Sequence, residues 1–206
     1  MLPLHASIGA AAFHKGIVME PKRDKRGRTE AEAIIDYQTK EYPKPAMTAD
    51  VALFAKSEEK LWILLIRRGN HPFLGYWALP GGFVNKNEAI QQTAFRELKE
   101  ETGVHCSVLQ LVGIYSEPGR DPRGWIISAA YTACLKDRIA EITGKDDAVD
   151  ARWIEVKFVN GQPAVILPPG DSLAFDHEKI IADAIKRNNL YEAAQQILEW
   201  LYCKNQ

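Results

Sequence analysis

The sequence predicts an α/β protein, in which a mixed β-sheet packs between helices, with an N-terminal extension and C-terminal helices. Two stretches, ADVALFAK and LWILLIRR, are rich in β-branched and apolar residues, which is typical of buried strands. Helical patterns lie between and after the predicted strands, which favours layers of helix and sheet. Of the 206 residues, 46% are hydrophobic and 26% are charged, as expected for a globular domain with a buried core.

Composition divides the chain into three segments. Residues 1–46 are a predicted extension, with the basic run PKRDKRGR and a short helix whose start has the capping-box residues Thr29 and Glu32. Residues 47–187 are the predicted main domain. Residues 188–206 are a predicted C-terminal helix.

The main domain is predicted element by element from apolar periodicity and turn residues. A polar turn at residues 57–60 joins the first two strands as a hairpin. Residues 88–102 are a predicted helix with Asn85 or Asn87 as its N-cap and Gly103 at its end. The remaining predicted elements are strands near 106–116, 125–135 and 151–156, and helices at 177–187 and 190–203.

Charge, apolar runs and cysteines exclude several classes of protein. The chain has 26 Lys plus Arg and 27 Asp plus Glu, so we expect no nucleic-acid partner. No apolar run approaches the roughly 18 residues that cross a bilayer, so we expect no membrane role. The cysteines are three, widely spaced, and lack metal-ligand spacing, which favours reduced thiols and a cytoplasmic location.

One face of the helix at 88–102 carries a cluster of carboxylates. Glu97, Glu100 and Glu101 fall within an arc of about 100°. Like charges at these spacings repel, so a solvated acidic helix is one interpretation and a divalent cation site is the other. Hard oxygen ligands on a rigid helix suit Mg²⁺, with Mn²⁺ possible as well.

The surrounding sequence favours the cation site. Gly82, Glu88 and the run Arg96-Glu97-Leu98-Lys99-Glu100-Glu101-Thr102-Gly103-Val104 match GX5EX7REUXEEXGU, with U aliphatic, at all nine specified positions. This is the Nudix box, and the chain resembles the Nudix hydrolase superfamily. The resemblance implies a Nudix-type α/β/α sandwich and hydrolysis of a nucleoside diphosphate linked to another group.

The resemblance also implies roles for individual residues. Glu97, Glu100 and Glu101 would be the principal metal ligands, while Arg96 would hold the glutamates in register and pair with Glu88. Absence of a side chain at Gly81 and Gly82 would let a backbone carbonyl approach the metal. The candidates for the general base are two helix residues and two acids of the segment GKDDAVD, namely Glu97, Glu101, Asp146 and Asp147.

Flanking segments indicate a branch of the superfamily. LLIRRGNHPFLGYWALPGGFV, SEPGRDPRGWIISAAYTA and GKDDAVDARWIEV resemble the ADP-ribose pyrophosphatase branch, over about residues 46–187. This resemblance implies Mg²⁺-dependent conversion of ADP-ribose to AMP and ribose 5-phosphate. The alternatives are another nucleotide substrate (NADH, a dinucleoside polyphosphate or an oxidised dNTP) and an ADP-ribose-sensing regulator. The roughly 20 residues after Arg187 are expected to form one helix, fewer than a winged helix-turn-helix needs.

Planar side chains are the candidates for substrate contacts. Guanidinium groups suit bidentate contact with phosphate, and the diphosphate-clamp candidates are Arg67, Arg68, Arg120 and Arg123. The aromatic residues of the first loop could stack on adenine or anchor the loop, and they are Phe73, Tyr76 and Trp77; we interpret Trp77 as structural. The histidines of the main domain, His71, His105 and His177, have no ligand spacing and are interpreted as structural.

The extension predicts an oligomer. The segment AEAIIDYQ has apolar positions but no core of its own, so we expect a homodimer with residues 29–50 in the interface.

Overall fold

A computed structural model describes residues 21–139, 142 and 148–190, and it divides into two units between Pro43 and Lys44. The first unit contains helix α1 (Glu30–Thr39). The predicted capping box is confirmed: the Glu32 N–H donates to the Thr29 hydroxyl, and the Thr29 N–H donates to the Glu32 carboxylate. No residue of α1 is buried.

The second unit is built on one mixed sheet. Its elements are β1 (Ala46–Ser57), β2 (Lys60–Arg68), β3 (Trp77–Ala78), β4 (Gly81–Phe83), α2 (Ile90–Thr102), β5 (Gln110–Tyr115), β6 (Ile126–Leu135), β7 (Ala148–Val159), β8 (Gln162–Val165) and α3 (His177–Arg187). The strand order is β5-β6-β1-β2-β7-β8, with β3 paired to β2 and β4 paired to β1. Strands β1 and β6 are parallel, and the other pairs are antiparallel.

Alternation along the central strands places one helix on each face of the sheet. Val51 and Leu53 of β1 belong to the apolar cluster that contains Leu98 of α2. Their neighbours Ala52 and Phe54 belong to the opposite cluster, which contains most of the buried side chains of α3. Because successive strand residues point to opposite faces, one strand supplies both cores. The predicted α/β/α sandwich with a mixed sheet is confirmed.

Helix α2 starts two residues later than the sequence predicts. Asn85 and Glu88 form a turn before the helix, in which the Asn85 N–H donates to the Glu88 carboxylate at 3.1 Å. The N-cap is Ala89, whose N–H donates to the side chain of Gln92 at 3.2 Å, so the predicted asparagine cap was wrong. The end of the helix is confirmed, with Gly103 in the left-handed region at φ 74°.

Other predicted boundaries also differ from the structure. Strand β7 is twice as long as the predicted strand at 151–156, because its first part pairs with almost the whole of β2 and its last four residues pair with β8. The predicted helix at 177–187 is confirmed, whereas nearly all of the predicted helix at 190–203 lies outside the described residues. Within the described part of the chain, no helix is long and apolar enough to cross a membrane.

Candidate active site

A cavity of about 410 Å³ lies where β4, α2, the β5–β6 loop and the start of α3 meet. It is lined by nine of the residues that the sequence singled out, namely Arg68, Gly81, Gly82, Arg96, Glu97, Glu100, Glu101, Arg120 and Arg123. It is also lined by residues that the sequence did not assign to a site, among them Asp50, Phe83, Asp121 and Phe175, and by His177, interpreted as structural. Asp146 and Asp147 lie outside the described residues.

The two glycines of β4 allow the sheet to approach the glutamates closely. The Gly81 N–H donates to Glu101 Oε2 at 2.8 Å. A Cβ atom added to Gly82 would lie 2.5 Å from Glu97 Cδ, and one added to Gly81 would lie 2.5 Å from Asp50 Oδ1. Carbon atoms do not approach nonbonded atoms this closely, so a side chain at Gly82 would displace the Glu97 carboxylate, and one at Gly81 would displace both Asp50 and the backbone of β1.

Arg96 binds three carboxylates at once. Its Nε and Nη2 donate to both oxygens of Glu88 at 2.8 and 3.0 Å, and its Nη1 donates to Glu97 at 2.6 Å and Glu100 at 3.0 Å. The hydrogen bonds from Arg96 lower the pKa of Glu88 to about 2. Glu88 is therefore an anchor for the guanidinium, which in turn orients two of the helix glutamates, as the Nudix-box resemblance implies.

Glu101 is the most buried acid of the helix, with only 4% of its surface exposed. Burial raises the pKa of Glu101 to about 8 against the opposing effect of the Gly81 hydrogen bond, and the nearby Glu97 and Asp50 raise it further. Burial also raises the pKa of Glu97, although Arg96 opposes this shift. Desolvation and mutual repulsion both disfavour the ionised forms of these carboxylates, and a bound cation would offset both effects.

A divalent cation fits this donor set. Among the described residues, no three acidic, histidine or cysteine side chains already converge as a ligand set, since Arg96 contacts Glu97 and Glu100 while Glu101 contacts Gly81. The cavity nevertheless brings together the carboxylate side chains of Glu97, Glu100 and Glu101, which are oxygen donors on one helix. Hard oxygen ligands of this kind suit Mg²⁺ or Mn²⁺.

The predicted diphosphate clamp does not assemble around all four arginines. Arg67 does not line the cavity, because its neighbour Arg68 occupies that face of β2 and successive strand residues alternate. The Arg67 Nε donates to the Gly75 carbonyl at 3.0 Å, and its Nη2 pairs with Asp171 at 3.4 Å. The structure therefore places Arg67 in contact with the loop and with Asp171, outside the lining of the cavity.

Arg120 lines the cavity, but its guanidinium group is hydrogen-bonded to another residue of the protein. Both Nε and Nη2 donate to the carboxylate of Asp176, at 2.9 and 2.6 Å, and the Arg120 side chain is only 5% exposed. Burial alone would lower the pKa of Arg120, yet the pairing with Asp176 raises it. This bidentate pair ties the β5–β6 loop to the residue that precedes α3. It leaves Arg120 a positioning role rather than the predicted bidentate contact with phosphate.

Arg123 and Arg68 both lie against aromatic rings. The Arg123 guanidinium donates through Nε and Nη2 to Asp121 at 3.0 and 2.6 Å and lies over the rings of Phe83 and Phe175. Although burial would raise the pKa of Asp121, the hydrogen bonds from Arg123 lower it. The Arg68 Nε donates to the Pro72 carbonyl at 2.9 Å, and its guanidinium lies 5.0 Å from the Phe175 ring centroid.

The loop aromatics are anchors, as we interpreted Trp77 to be. Trp77 is 1% exposed, and its Nε1 donates to Asp171 at 2.8 Å. Phe73 packs edge-on against Tyr76 and Phe175, and neither Phe73 nor Tyr76 lines the cavity.

His177 and Asp50 are both buried and lie next to each other, close to β4. The Leu79 N–H donates to His177 Nδ1 at 2.9 Å, so the neutral imidazole carries its proton on Nε2, which lies 3.9 Å from Asp50 Oδ1. The Ser128 hydroxyl donates to Asp50. Burial lowers the pKa of His177, which favours this neutral form. The sequence signal for Asp50 was available, since it is the one acidic residue of the largely apolar strand β1.

Removal of the His177 acceptor is expected to disturb the side of the cavity formed by β4 and the helix glutamates. His177→Leu leaves the Leu79 N–H without a partner two residues before Gly81, and we expect kcat to fall about tenfold while the Mg²⁺ concentration for half activation rises. His177→Asn keeps an acceptor and should recover part of both values. Equal behaviour of the two variants, or an unchanged Mg²⁺ requirement, would contradict this positioning role.

Comparisons with known proteins agree with this geometry. A family model for the NUDIX domain matches residues 44–170. The chain is 42% identical over 149 residues to an ADP-ribose pyrophosphatase of Methanocaldococcus jannaschii, covering 72% of this chain and 78% of the relative. It is 34% identical to the ADPR responsive transcriptional repressor NtrR of Acinetobacter baylyi, covering 76% of this chain and 59% of the repressor.

A solved structure gives the same result. The NUDIX domain of Shewanella oneidensis NrtR, crystallised with ADP ribose, superposes with a TM-score of 0.60 at 32% identity, covering 78% of this chain and 99% of that domain. The family match covers more than half of the chain, and it includes the complete helix α2 and both glycines of β4. The chain therefore belongs to the Nudix family.

Proposed function

We propose that this protein is a Mg²⁺-dependent Nudix hydrolase that converts ADP-ribose and water to AMP and ribose 5-phosphate. The observation that carries the proposal is the cavity in which Glu97, Glu100 and Glu101 face the glycine strand β4. The 42% identity to an ADP-ribose pyrophosphatase over most of both chains supports the choice of substrate. Mn²⁺ is the expected substitute for Mg²⁺, because it accepts the same oxygen donors.

In the proposed reaction, the oxygen of a water molecule bonds to one phosphorus of the diphosphate. The bond from that phosphorus to the bridging oxygen breaks, and the bridging oxygen leaves with its electron pair on the other phosphate. A bound cation would neutralise the diphosphate and make the attacking water more acidic. The candidates for the general base that removes the water proton are the helix glutamates Glu97 and Glu101 and the acids Asp146 and Asp147.

The chain's own residues hold this chemistry in place. Arg96 keeps Glu97 and Glu100 in register through its anchor on Glu88. The Gly81 N–H orients Glu101, and the bare backbone of Gly82 leaves room for the Glu97 carboxylate. Substrate contacts on the far side of the cavity are proposed for Arg68 and Arg123.

A product assay tests the proposal. The full chain is incubated with Mg²⁺ and either ADP-ribose, NADH, a diadenosine polyphosphate or 8-oxo-dGTP, and the products are separated by chromatography. We expect AMP and ribose 5-phosphate from ADP-ribose at the highest kcat/KM, and no products in excess EDTA. A higher kcat/KM for one of the other nucleotides would leave the Nudix assignment standing and contradict the substrate.

The repressor relative favours one alternative function, an ADP-ribose-responsive regulator. A regulator would bind DNA with an affinity that falls steeply with salt and changes with ADP-ribose. A gel shift with micromolar protein, with and without ADP-ribose, separates the two functions. We expect no shifted DNA, because the chain carries a net charge of −1.

We propose that the protein is a homodimer in which the exposed part of residues 29–50 contributes to the interface, whereas Thr48, Ala49 and Asp50 are buried in the sheet. Helix α1 supports this, because it exposes Ile34, Ile35 and Tyr37 to between 49% and 60% and buries none of its residues. Light scattering at micromolar concentration should give twice the chain mass, and Ile35→Glu should reduce it to the monomer mass. A parent protein that is already monomeric would refute the dimer.

We also propose a cytoplasmic location. The cysteines of the described residues, Cys106 and Cys134, are both free thiols, as a reducing compartment allows. Fractionation of cells that express the full chain should recover it with cytoplasmic markers.

A further inference from the structure

Four planar side chains lie close together in the lining of the cavity. The Arg123 guanidinium carbon lies 4.8 Å from the Phe83 ring centroid and 5.5 Å from the Phe175 ring centroid. The Arg68 guanidinium carbon lies 5.0 Å from the same Phe175 ring centroid. All four side chains line the cavity that contains the Nudix-box glutamates. Aromatic and guanidinium groups therefore alternate beside the acidic helix.

We propose that Phe83 and Arg123 form a stacking platform for the nucleobase of the substrate; this proposal rests on the proposed function and names the part of ADP-ribose that this platform binds. A nucleobase is the planar aromatic part of that molecule, and bases stack on both aromatic rings and guanidinium planes. The ribose and phosphate groups have no such face.

The pairing of Arg123 supports stacking rather than phosphate binding. Two of its nitrogens are donors to Asp121, whose side chain is only 2% exposed, so the charge is largely compensated inside the protein. The side chain of Arg123 itself remains 35% exposed. The buried Asp121 carboxylate therefore fixes the position of this guanidinium beside the Phe83 ring and in the lining of the cavity.

Exposure of Phe83 supports a ligand on its ring. Phe83 is 43% exposed, although its strand β4 pairs with β1. It directly follows Gly81 and Gly82, the glycines that lie beside Glu101 and Glu97. Tyr76 is exposed to a similar extent, 41%, but does not line the cavity. It is therefore a matched control for loss of an exposed aromatic ring.

The test measures binding of the two halves of the substrate separately, to the full chain in the presence of Mg²⁺. Phe83→Leu should weaken AMP binding about tenfold, the lower range for loss of one base–aromatic stack, and leave ribose 5-phosphate binding within about twofold of the parent. Phe83→Trp keeps a stacking face and should retain AMP binding. Tyr76→Leu should bind both compounds like the parent.

Kinetics with ADP-ribose provide the second readout. Phe83→Leu should raise KM about tenfold and change kcat little, because the lost contact lies outside the reacting diphosphate. Unchanged AMP binding in Phe83→Leu, or equal weakening of AMP and ribose 5-phosphate, would overturn the platform. A parent that binds AMP through Phe83 but does not hydrolyse ADP-ribose would instead contradict the proposed function alone.

Discussion

Glu101→Gln is expected to lower kcat for ADP-ribose by at least about a hundredfold at saturating Mg²⁺, because it removes a ligand charge from the proposed cation site and the cation stabilises the charge that develops in the transition state. The amide keeps the size of the side chain and still offers an oxygen to the Gly81 N–H. It cannot supply the negative charge that a buried cation site needs. Steady-state kinetics over a series of Mg²⁺ concentrations measures the loss and separates it from weaker cation binding.

Glu178→Gln is the matched control for this substitution. Glu178 lies in the first turn of α3, is exposed and does not line the cavity, so its substitution should leave kcat within about twofold of the parent, as for a surface site. A parental kcat in Glu101→Gln at every Mg²⁺ concentration would remove Glu101 from the proposed metal site. The remaining box residues, Glu97 and Glu100, would then have to hold the cation.

Local sequence patterns predicted the parts of the site that lie close together along the chain. The spacing of Glu97, Glu100 and Glu101 on one helix depends only on the 3.6-residue period, and Arg96 reaches two of them from the same helix. The hairpin and the two-faced core followed from apolar patterning in the same way. These features require no knowledge of which strands become neighbours.

Contacts between distant segments could not be predicted in this way. The Leu79 N–H donates to His177, which lies 98 residues later in the chain. Arg120 donates to Asp176, at a separation of 56 residues. Such pairs depend on how α3 and the β5–β6 loop meet β4, which no spacing in the sequence records. The orientation of Arg67, in contrast, could have been predicted. Side chains alternate along a strand, so only one of the adjacent residues Arg67 and Arg68 can face the cavity.

In the absence of divalent cations, the stability of the parent is expected to fall relative to Glu101→Gln as pH rises from about 5 to 8. The folded protein raises the pKa of Glu101 from 4.5 to about 8, first through burial and then through Glu97 and Asp50. Between these values the unfolded chain binds fewer protons at this position than the folded chain. The free energy of unfolding contributed by Glu101 therefore decreases with rising pH, by an amount on the order of 3 kcal/mol at pH 8.

Urea unfolding at pH 5 and pH 8, in EDTA and in Mg²⁺, measures this effect. Subtraction of the Glu101→Gln curve removes the contributions of other titrating groups, such as Glu88, whose lowered pKa acts at much lower pH. Mg²⁺ should stabilise the parent at pH 8 and have a much smaller effect on Glu101→Gln, because a cation that binds only the folded state adds its binding free energy to stability. A difference between parent and variant that is the same at both pH values would show that the folded protein does not raise the pKa of Glu101, and the buried charge could not then be a reason for the site to bind a cation.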